Sequence, residues 1–242
     1  MSLVRQAVKA LLTAGLPPAR WLVRGPRGRL SDAPTLSLTF DDGPHPEHTP
    51  RVLDALQEFG QRATFFVVGR QAVRYPEIVR RIVDEGHTLG NHTFTHGEPS
   101  DTTPTQFLDE VLCMRDLLSL WTDAPCRWMR PPKGELGWSK LRGLWKTDHT
   151  IVLWNVDPRD YRMSSAAEVD RWCRGYRPRH GDIVLLHDNR PAAADIVANW
   201  GRLGLFDRWR SVPIDAWFAP QPVQRSHGRD VPLSCAAWTS SP

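Results

Sequence analysis

Apolar positions along the chain follow two alternating periods. Short runs rich in β-branched and aromatic residues alternate with longer stretches whose apolar residues recur every three or four positions. The runs lie over 36–40, 63–69, 87–92, 127–130, 150–156, 182–186 and 211–218, and each predicts a strand. Helices are predicted over 50–59, 76–85, 105–120, 139–146 and 192–200. Val52, Leu53, Leu56 and Phe59 share one face of the first, and Phe107, Leu108, Val111, Leu112 and Leu118 form the stripe of the third. A further helix opens at Ser165, where Ser165-x-x-Glu168 reads as a capping box. Repeated strand–helix units imply a parallel sheet, and about seven of them in one domain favour a closed barrel.

The ends of the chain break this rhythm. In residues 1–34, Val4, Val8, Leu11 and Leu12 fall at helical spacing until Pro17-Pro18 stops the pattern. Arg5, Lys9, Arg20, Arg24, Arg27 and Arg29 are there, and no acid precedes Asp32. Lys9 interrupts the apolar run and no small-residue cleavage site is evident, which argues against a cleaved signal. The stretch is also too short and too charged to span a bilayer. A basic helix resting peripherally on an anionic membrane surface through residues 1–30 and a helix packed on the domain floor both fit. From Ala219 onward Pro, Gln and Ser predominate, as in an irregular tail. The expected organisation is a basic segment over 1–34, one catalytic domain over 35–218 and a tail over 219–242.

Composition adds boundaries. At 242 residues, 40% hydrophobic and 24% charged, the chain has the make-up of a globular protein able to bury a full core. A net charge of +4 without a dense Lys/Arg block argues against nucleic acid. Eleven Trp supply flat apolar faces that suit sugar rings as well as a core. Cys113, Cys126, Cys173 and Cys235 are far apart and form no Cys-x-x-Cys pair, which fits free thiols in a reducing compartment. The expected location is the cytoplasm or the inner membrane face.

Candidate chemistry collects where strands end. Asp41-Asp42 closes the first strand before Gly43-Pro44 turns the chain away. Adjacent carboxylates resist joint ionisation, so the pair calls for a cation, whether a metal or an arginine, or for water. His92 and His96 follow the third strand, and Arg130, Asp157, Asp160, Tyr161, His187 and Asp188 follow later ones. In a β/α barrel these strand ends share one face, so such residues converge. Two His four apart plus a carboxylate make a three-ligand metal set with a position left open. The same set occurs in non-haem iron oxygenases, though without the His-x-Asp spacing expected there. His45 and His48 read as turn residues, and Asn91 as a poor zinc ligand.

These motifs together resemble the polysaccharide deacetylases with NodB homology, carbohydrate esterase family four. Thr39-Phe-Asp-Asp-Gly-Pro44, His92-Thr-x-x-His96, Arg130-x-Pro-x-Gly134, Asp157-x-x-Asp160 and Ile183-x-Leu185-x-His187 match in order, and Ala63-Thr-Phe-Phe66 is also typical. The resemblance implies a distorted (β/α)7 barrel and metal-dependent hydrolysis of an N-acetyl or O-acetyl group on a sugar. It implies Asp42, His92 and His96 as ligands of a divalent metal ion, with zinc the metal expected. Asp41 is then the general base on the metal-bound water, oriented by Arg130, and His187 is the general acid, tuned by Asp160. The Lys133 N–H would help hold the oxyanion, and Leu185 would line the acetyl pocket. The substrate implied is an acetylated amino-sugar glycan or a lipid-linked glycan. Lys133 stands where the family usually has an aromatic residue, and Tyr161 where it usually has Trp. Both departures bear on the substrate rather than the reaction, and Lys133 would suit an anionic group. A catalytically silent sugar-binding barrel and an amidase for another amide stay open as alternatives.

Overall fold

The computed structural model describes residues 21–26, 33–122 and 126–218. Its strands are β1 (Trp21–Leu22), β2 (Thr35–Asp41), β3 (Ala63–Val67), β4 (Thr88–Asn91), β5 (Trp128–Met129), β6 (Thr150–Val152), β7 (Ile183–His187) and β8 (Arg210–Ser211). Its helices are α1 (His48–Glu58), α2 (Gly69–Arg74), α3 (Pro76–Asp84), α4 (Pro104–Leu118), α5 (Trp138–Trp145), α6 (Ala166–Gly175) and α7 (Pro191–Arg202). Every strand pairing is parallel, in the order β1-β6-β5-β4-β3-β2-β7, with β8 beside the start of β2.

The sheet curls into the expected distorted barrel, and its seam closes beyond the end of β6. Asn155 and Val156 N–H donate to the Ile183 carbonyl, and Leu185 N–H donates to that of Val156. Lower on the seam, Asp182 accepts from Arg24, Asn155 and Tyr176 side chains.

Strand β2 shows how sequence sets the two faces. Leu36, Leu38 and Phe40 point outward and pack with Val52, Leu53 and Leu56 of α1 and Ile196 and Val197 of α7. Thr35, Ser37, Thr39 and Asp41 take the other face, toward the barrel interior. Ile183, Leu185 and His187 do the same on β7, while Val184 and Leu186 join the outer core. A smaller cluster of Leu22, Phe66, Trp128, Val152 and Ile183 is joined by Ile214 and Trp217.

Several expectations move. The final segment is not a strand over 211–218 but the two residues of β8 followed by a 3-10 helix, Ile214–Trp217, whose Trp217 indole donates to Thr35 Oγ1 at 3.2 Å. Helix α2 lacks a period long enough to read in the sequence, and Gly69 begins it where a strand was expected to end. Ser165 caps α6 in the expected box, and Thr103 with Gln106 forms a second box at α4. Trp21 and Leu22 pair with Ile151 and Val152, so the sheet starts upstream of the boundary expected at 35. The helix expected near residues 4–12 and the tail over 219–242 lie outside the described residues.

Four free thiols are also not what is found. Cys126 and Cys173 are free and buried, but Cys113 is disulfide-bonded, which removes the cysteine argument for a reducing compartment. Among the described residues, no helix is long and apolar enough to cross a membrane.

Candidate active site

The carboxyl ends of β2, β4, β5 and β7, with the loop after β6, bring the motif residues together. Asp41 ends β2 in register with His187 at the end of β7, so these two neighbour each other across one strand pair. Asp41 is buried, and its Oδ1 accepts a 2.6 Å bond from Arg130 Nη1. Arg130 is fully buried and lies across the barrel interior. Its guanidinium also donates to Thr39 Oγ1 and to the Val152 and Leu153 carbonyls, and it rests 4.1 Å from the centre of the Phe66 ring. A buried carboxylate needs such a partner, because desolvation would otherwise favour its neutral form.

The next carboxylate turns the other way. Asp42 adopts a left-handed backbone with φ 75°, which redirects its side chain toward His92 and His96. Asp42 Oδ1 lies 3.4 Å from His92 Nε2 and 3.2 Å from His96 Nε2. The donor atoms of Asp42, His92 and His96 all fall within 4.8 Å of one another.

This donor set fits a divalent cation. The Arg130 carbonyl sits 2.7 Å from His92 Nδ1, which must therefore carry a proton; Nε2, the atom turned toward Asp42, donates to it while no cation is bound, and loss of that one proton would free its lone pair for a metal. Burial would raise the Asp42 pKa, but the hydrogen bond from His92 and the charges of His92, His96 and His187 hold it well below the usual carboxylate range. Burial and the charge of His92 lower the His96 pKa, against the pull of Asp42 and Asp41, which favours the neutral ligand form.

His187 is built for a different task. Its Nδ1 pairs with Asp160 Oδ1 at 2.7 Å, and its backbone N–H donates to Asp160 Oδ2 at 2.7 Å. Burial would lower its pKa, yet the Asp160 bond and charge, with Asp41 and Asp42 beyond, push it up to about 9. Asp160 itself is buried in a short 3-10 helix and also accepts from Tyr161 N–H. A histidine held protonated beside an ionised carboxylate is a poised proton donor.

The remaining expected residues flank this centre. Leu185 is buried two residues before His187 on the inner face. Tyr161 packs edge-on against the His187 ring at 5.4 Å and is 45% exposed. Lys133 has a left-handed backbone in the turn after β5, but its ammonium pairs with Glu98 at the rim, and both side chains are about half exposed. Its ammonium is therefore paired, in an exposed ion pair of the weak kind. His45, in the turn before α1, stacks at 4.4 Å on His48, which is the first residue of that helix rather than the turn residue expected. Asn91 is fully buried with both side-chain groups engaged: its amide donates to Val111 O, and its Oδ1 accepts from Thr93 N–H.

One buried acid, Glu110, is not evident as a site residue in the sequence, and another, Asp188, stands there only as a polar strand-end residue without a role. Glu110 of α4 accepts from Phe94 N–H, Thr95 N–H and Thr95 Oγ1, and so grips the loop that carries His96. An acid beside Phe107 and Val111, within the apolar stripe of a helix, was the available signal. Asp188 is 1% exposed behind the Asp42 turn and bonds to Thr49. Burial and the charges of Asp42 and Asp41, opposed by the Thr49 bond, raise its pKa to about 7. Its place directly after His187 was the only hint.

With this geometry in hand, likeness to known proteins is informative. The profile of the family described as "Polysaccharide deacetylase" matches residues 28–151. A chitooligosaccharide deacetylase of Bradyrhizobium sp. (strain ANU 289) is 42% identical over 171 residues, covering 70% of this chain and 77% of the relative. A peptidoglycan-N-acetylglucosamine deacetylase of Bacillus cereus is 33% identical over 165 residues, covering 67% of this chain and 76% of the relative. Among solved structures, the peptidoglycan N-acetylglucosamine deacetylase Bc1960 superposes with a TM-score of 0.74 at 27% identity, over 84% of this chain and 95% of that one. The chain belongs to the polysaccharide deacetylase family, carbohydrate esterase family four, and is a hydrolase acting on carbon–nitrogen bonds other than peptide bonds.

Proposed function

We propose that this protein removes the acetyl group from an N-acetylated amino-sugar glycan, of the kind named for its chitooligosaccharide and peptidoglycan deacetylase relatives. One observation carries the reading. A three-donor set for a cation lies between an arginine-bound carboxylate and a carboxylate-bound histidine, on adjacent strand ends.

Asp42, His92 and His96 would hold a divalent cation, with zinc the choice that suits two imidazoles and one carboxylate. Such an ion supplies a nucleophile near neutral pH and polarises the acetyl carbonyl. The chain's own residues do the rest. Asp41, oriented by its bond from Arg130, accepts the proton of the attacking water. The Lys133 N–H donates to the oxygen on which negative charge develops. His187 delivers its Nε2 proton to the departing amine, while Asp160 holds Nδ1–H and fixes the tautomer. Leu185 gives the acetyl methyl an apolar wall. The mouth carries Tyr161 and the Lys133–Glu98 pair, an exposed ion pair that an anionic group on the substrate would compete with Glu98 to join.

The test combines metal content with acetate release from an acetylated chitooligosaccharide and from peptidoglycan fragments. Metal-dependent acetate release from at least one is expected. A fully loaded protein that released acetate from neither would overturn the reading in favour of a silent barrel. Membrane contact through residues 1–30 remains a separate proposal, to be tested by vesicle binding of the whole chain. So does a cytoplasmic or inner-face location, against which the Cys113 disulfide weighs.

A further inference from the structure

Asp188 is a buried carboxylate with no part in the chemistry above, yet it touches the turn that carries both the base and a ligand. Its N–H donates to the Asp41 carbonyl at 3.2 Å. Its Oδ2 accepts from Thr49 Oγ1 at 2.6 Å, and that hydroxyl accepts in turn from His45 N–H at 2.7 Å. The following residue, Asn189, donates to Asp42 Oδ2 at 3.3 Å. The strand end bearing His187 is thus tied directly to the Asp41–His45 turn.

The side chain also fills a specific space. A Cβ added at Gly43 would lie 2.1 Å from Asp188 Oδ2 and 2.4 Å from Oδ1, distances that no side chain tolerates. Gly43 is not among the left-handed glycines, so what requires glycine here is the carboxylate pressed against it. Asp188 Oδ1 is buried without a hydrogen-bond partner. Leaving such a group unsatisfied is costly, and an apolar residue would serve stability better.

We propose that Asp188 is a positioning residue: wedged against Gly43 and anchored by Thr49, it fixes the direction in which Asp42 presents its ligand oxygen and holds that turn in register with His187. The metal arm of this inference rests on the reading of Asp42 as a ligand. Shape and one accepted hydrogen bond carry the role, and Asn retains both.

The experiment measures zinc affinity by chelator competition, kcat and KM on an acetylated chitooligosaccharide, and the melting temperature of metal-free protein. Asp188→Ala should weaken zinc binding and lower kcat by about 10–100-fold each, with KM little changed, and Asp188→Asn should recover to within about threefold of wild type. Gly43→Ala should be damaging alone but add little in the Asp188→Ala background, because the two share one volume. Wild-type zinc affinity in Asp188→Ala would overturn the proposal, as would Asp188→Asn performing as poorly as Asp188→Ala. Additive effects of Gly43→Ala and Asp188→Ala would do the same. If Asp188→Ala does not fold, Thr49→Val takes its place, with weaker zinc binding expected and unchanged binding contradictory. A wild-type chain that bound no zinc would refute the ligand set instead. The Gly43–Asp188 pairing would then be read from metal-free melting of Gly43→Ala in the wild-type and Asp188→Asn backgrounds: equal destabilisation is expected, and relief by Asn would contradict it.

Discussion

One strand of the barrel carries a histidine at each end, and the two are treated in opposite ways. His87 precedes β4 at the bottom and His92 follows it at the top, and both are buried. Burial pushes each toward neutrality. At His87 the charges of Arg62 and Arg81 act in the same direction, and its pKa falls to about 4. At His92 the carboxylates of Asp41 and Asp42 outweigh burial, and its pKa rises. The contrast recurs between His149, lowered to about 4 by burial and Arg115, and His187, raised to about 9 against burial by Asp160. The backbone divides the same way. Left-handed positions at the bottom belong to Gly60, Gly86, Gly181 and Gly204, whereas at the top Asp42, Thr93, His96, Lys133 and Arg159 take them, with Gly134 the one glycine beside them among the described residues. A non-glycine residue there costs on the order of 1 kcal/mol or more, and persists only where its surroundings over-determine it. The bottom is assembled from inexpensive parts, and the top concentrates costly charges and costly backbone around one small volume.

The strongest way to break this contrast is to remove the cation inside the barrel. Arg130→Leu leaves Asp41 buried and unpaired, and should cost about 3–5 kcal/mol in urea unfolding. A loss under about 1 kcal/mol would mean that Asp41 does not depend on that pair. Next in size, His187→Ala should lower amide turnover on the order of 10²-fold and affect an activated aryl acetate less, because only the amide needs its leaving group protonated. Equal loss on both substrates would deny His187 the acid role.

Two smaller effects sharpen the comparison through pH. The basic limb of kcat/KM should lie above the ordinary histidine range, and Asp160→Asn should bring it down by about one unit or more. Because the site's groups titrate together, the limb belongs to the coupled system, and an unmoved limb would show that Asp160 does not tune it. In metal-free protein the two ends should also fail on opposite sides. His87 and His149 have folded pKa values near 4, below their ordinary 6.5, so their stabilisation is complete above pH 6.5 and lost as pH falls toward 4. His187 has a raised folded value, so its contribution is full below pH 6.5 and fades as pH rises through about 9. His87→Gln should flatten the acid limb of stability by about 1 kcal/mol at pH 5.5, as read from denaturant midpoints. An unchanged acid limb would place the titrating group elsewhere.

Much of this division was legible in the sequence, for physical reasons that also explain the omissions. β2, β3 and β7 are buried on both faces; β3 and β7 read as apolar runs and β2 as apolar residues alternating with small hydroxyls, and Asp41 and His187 stand out as polar interruptions at strand ends. β1 and β8, with two residues each, carry no period of their own; Trp21–Leu22 is a strand only because Ile151–Val152 lies beside it. Ile214 and Trp217 are apolar enough to suggest a strand, but they pack as a 3-10 turn against the interior cluster around Leu22 and Phe66. Glu110 was missed, and Asp188 was placed at a strand end but given no role, because a carboxylate in sequence looks solvated until the fold buries it. Lys133 was legible as a departure, though its partner Glu98 comes from a different loop.

The central claim is that neighbouring carboxylates have separate tasks, Asp42 holding the metal and Asp41 accepting the proton. Asp41→Asn keeps the size of the side chain and removes the base. Metal content measured alongside turnover on the acetylated glycan should show the ion retained at the wild-type level while turnover falls on the order of 10²–10⁴-fold, whereas Asp42→Ala, His92→Ala and His96→Ala lose the ion. An Asp41→Asn protein that held its metal and turned over at near wild-type rate, or one that lost metal as Asp42→Ala does, would contradict the assignment.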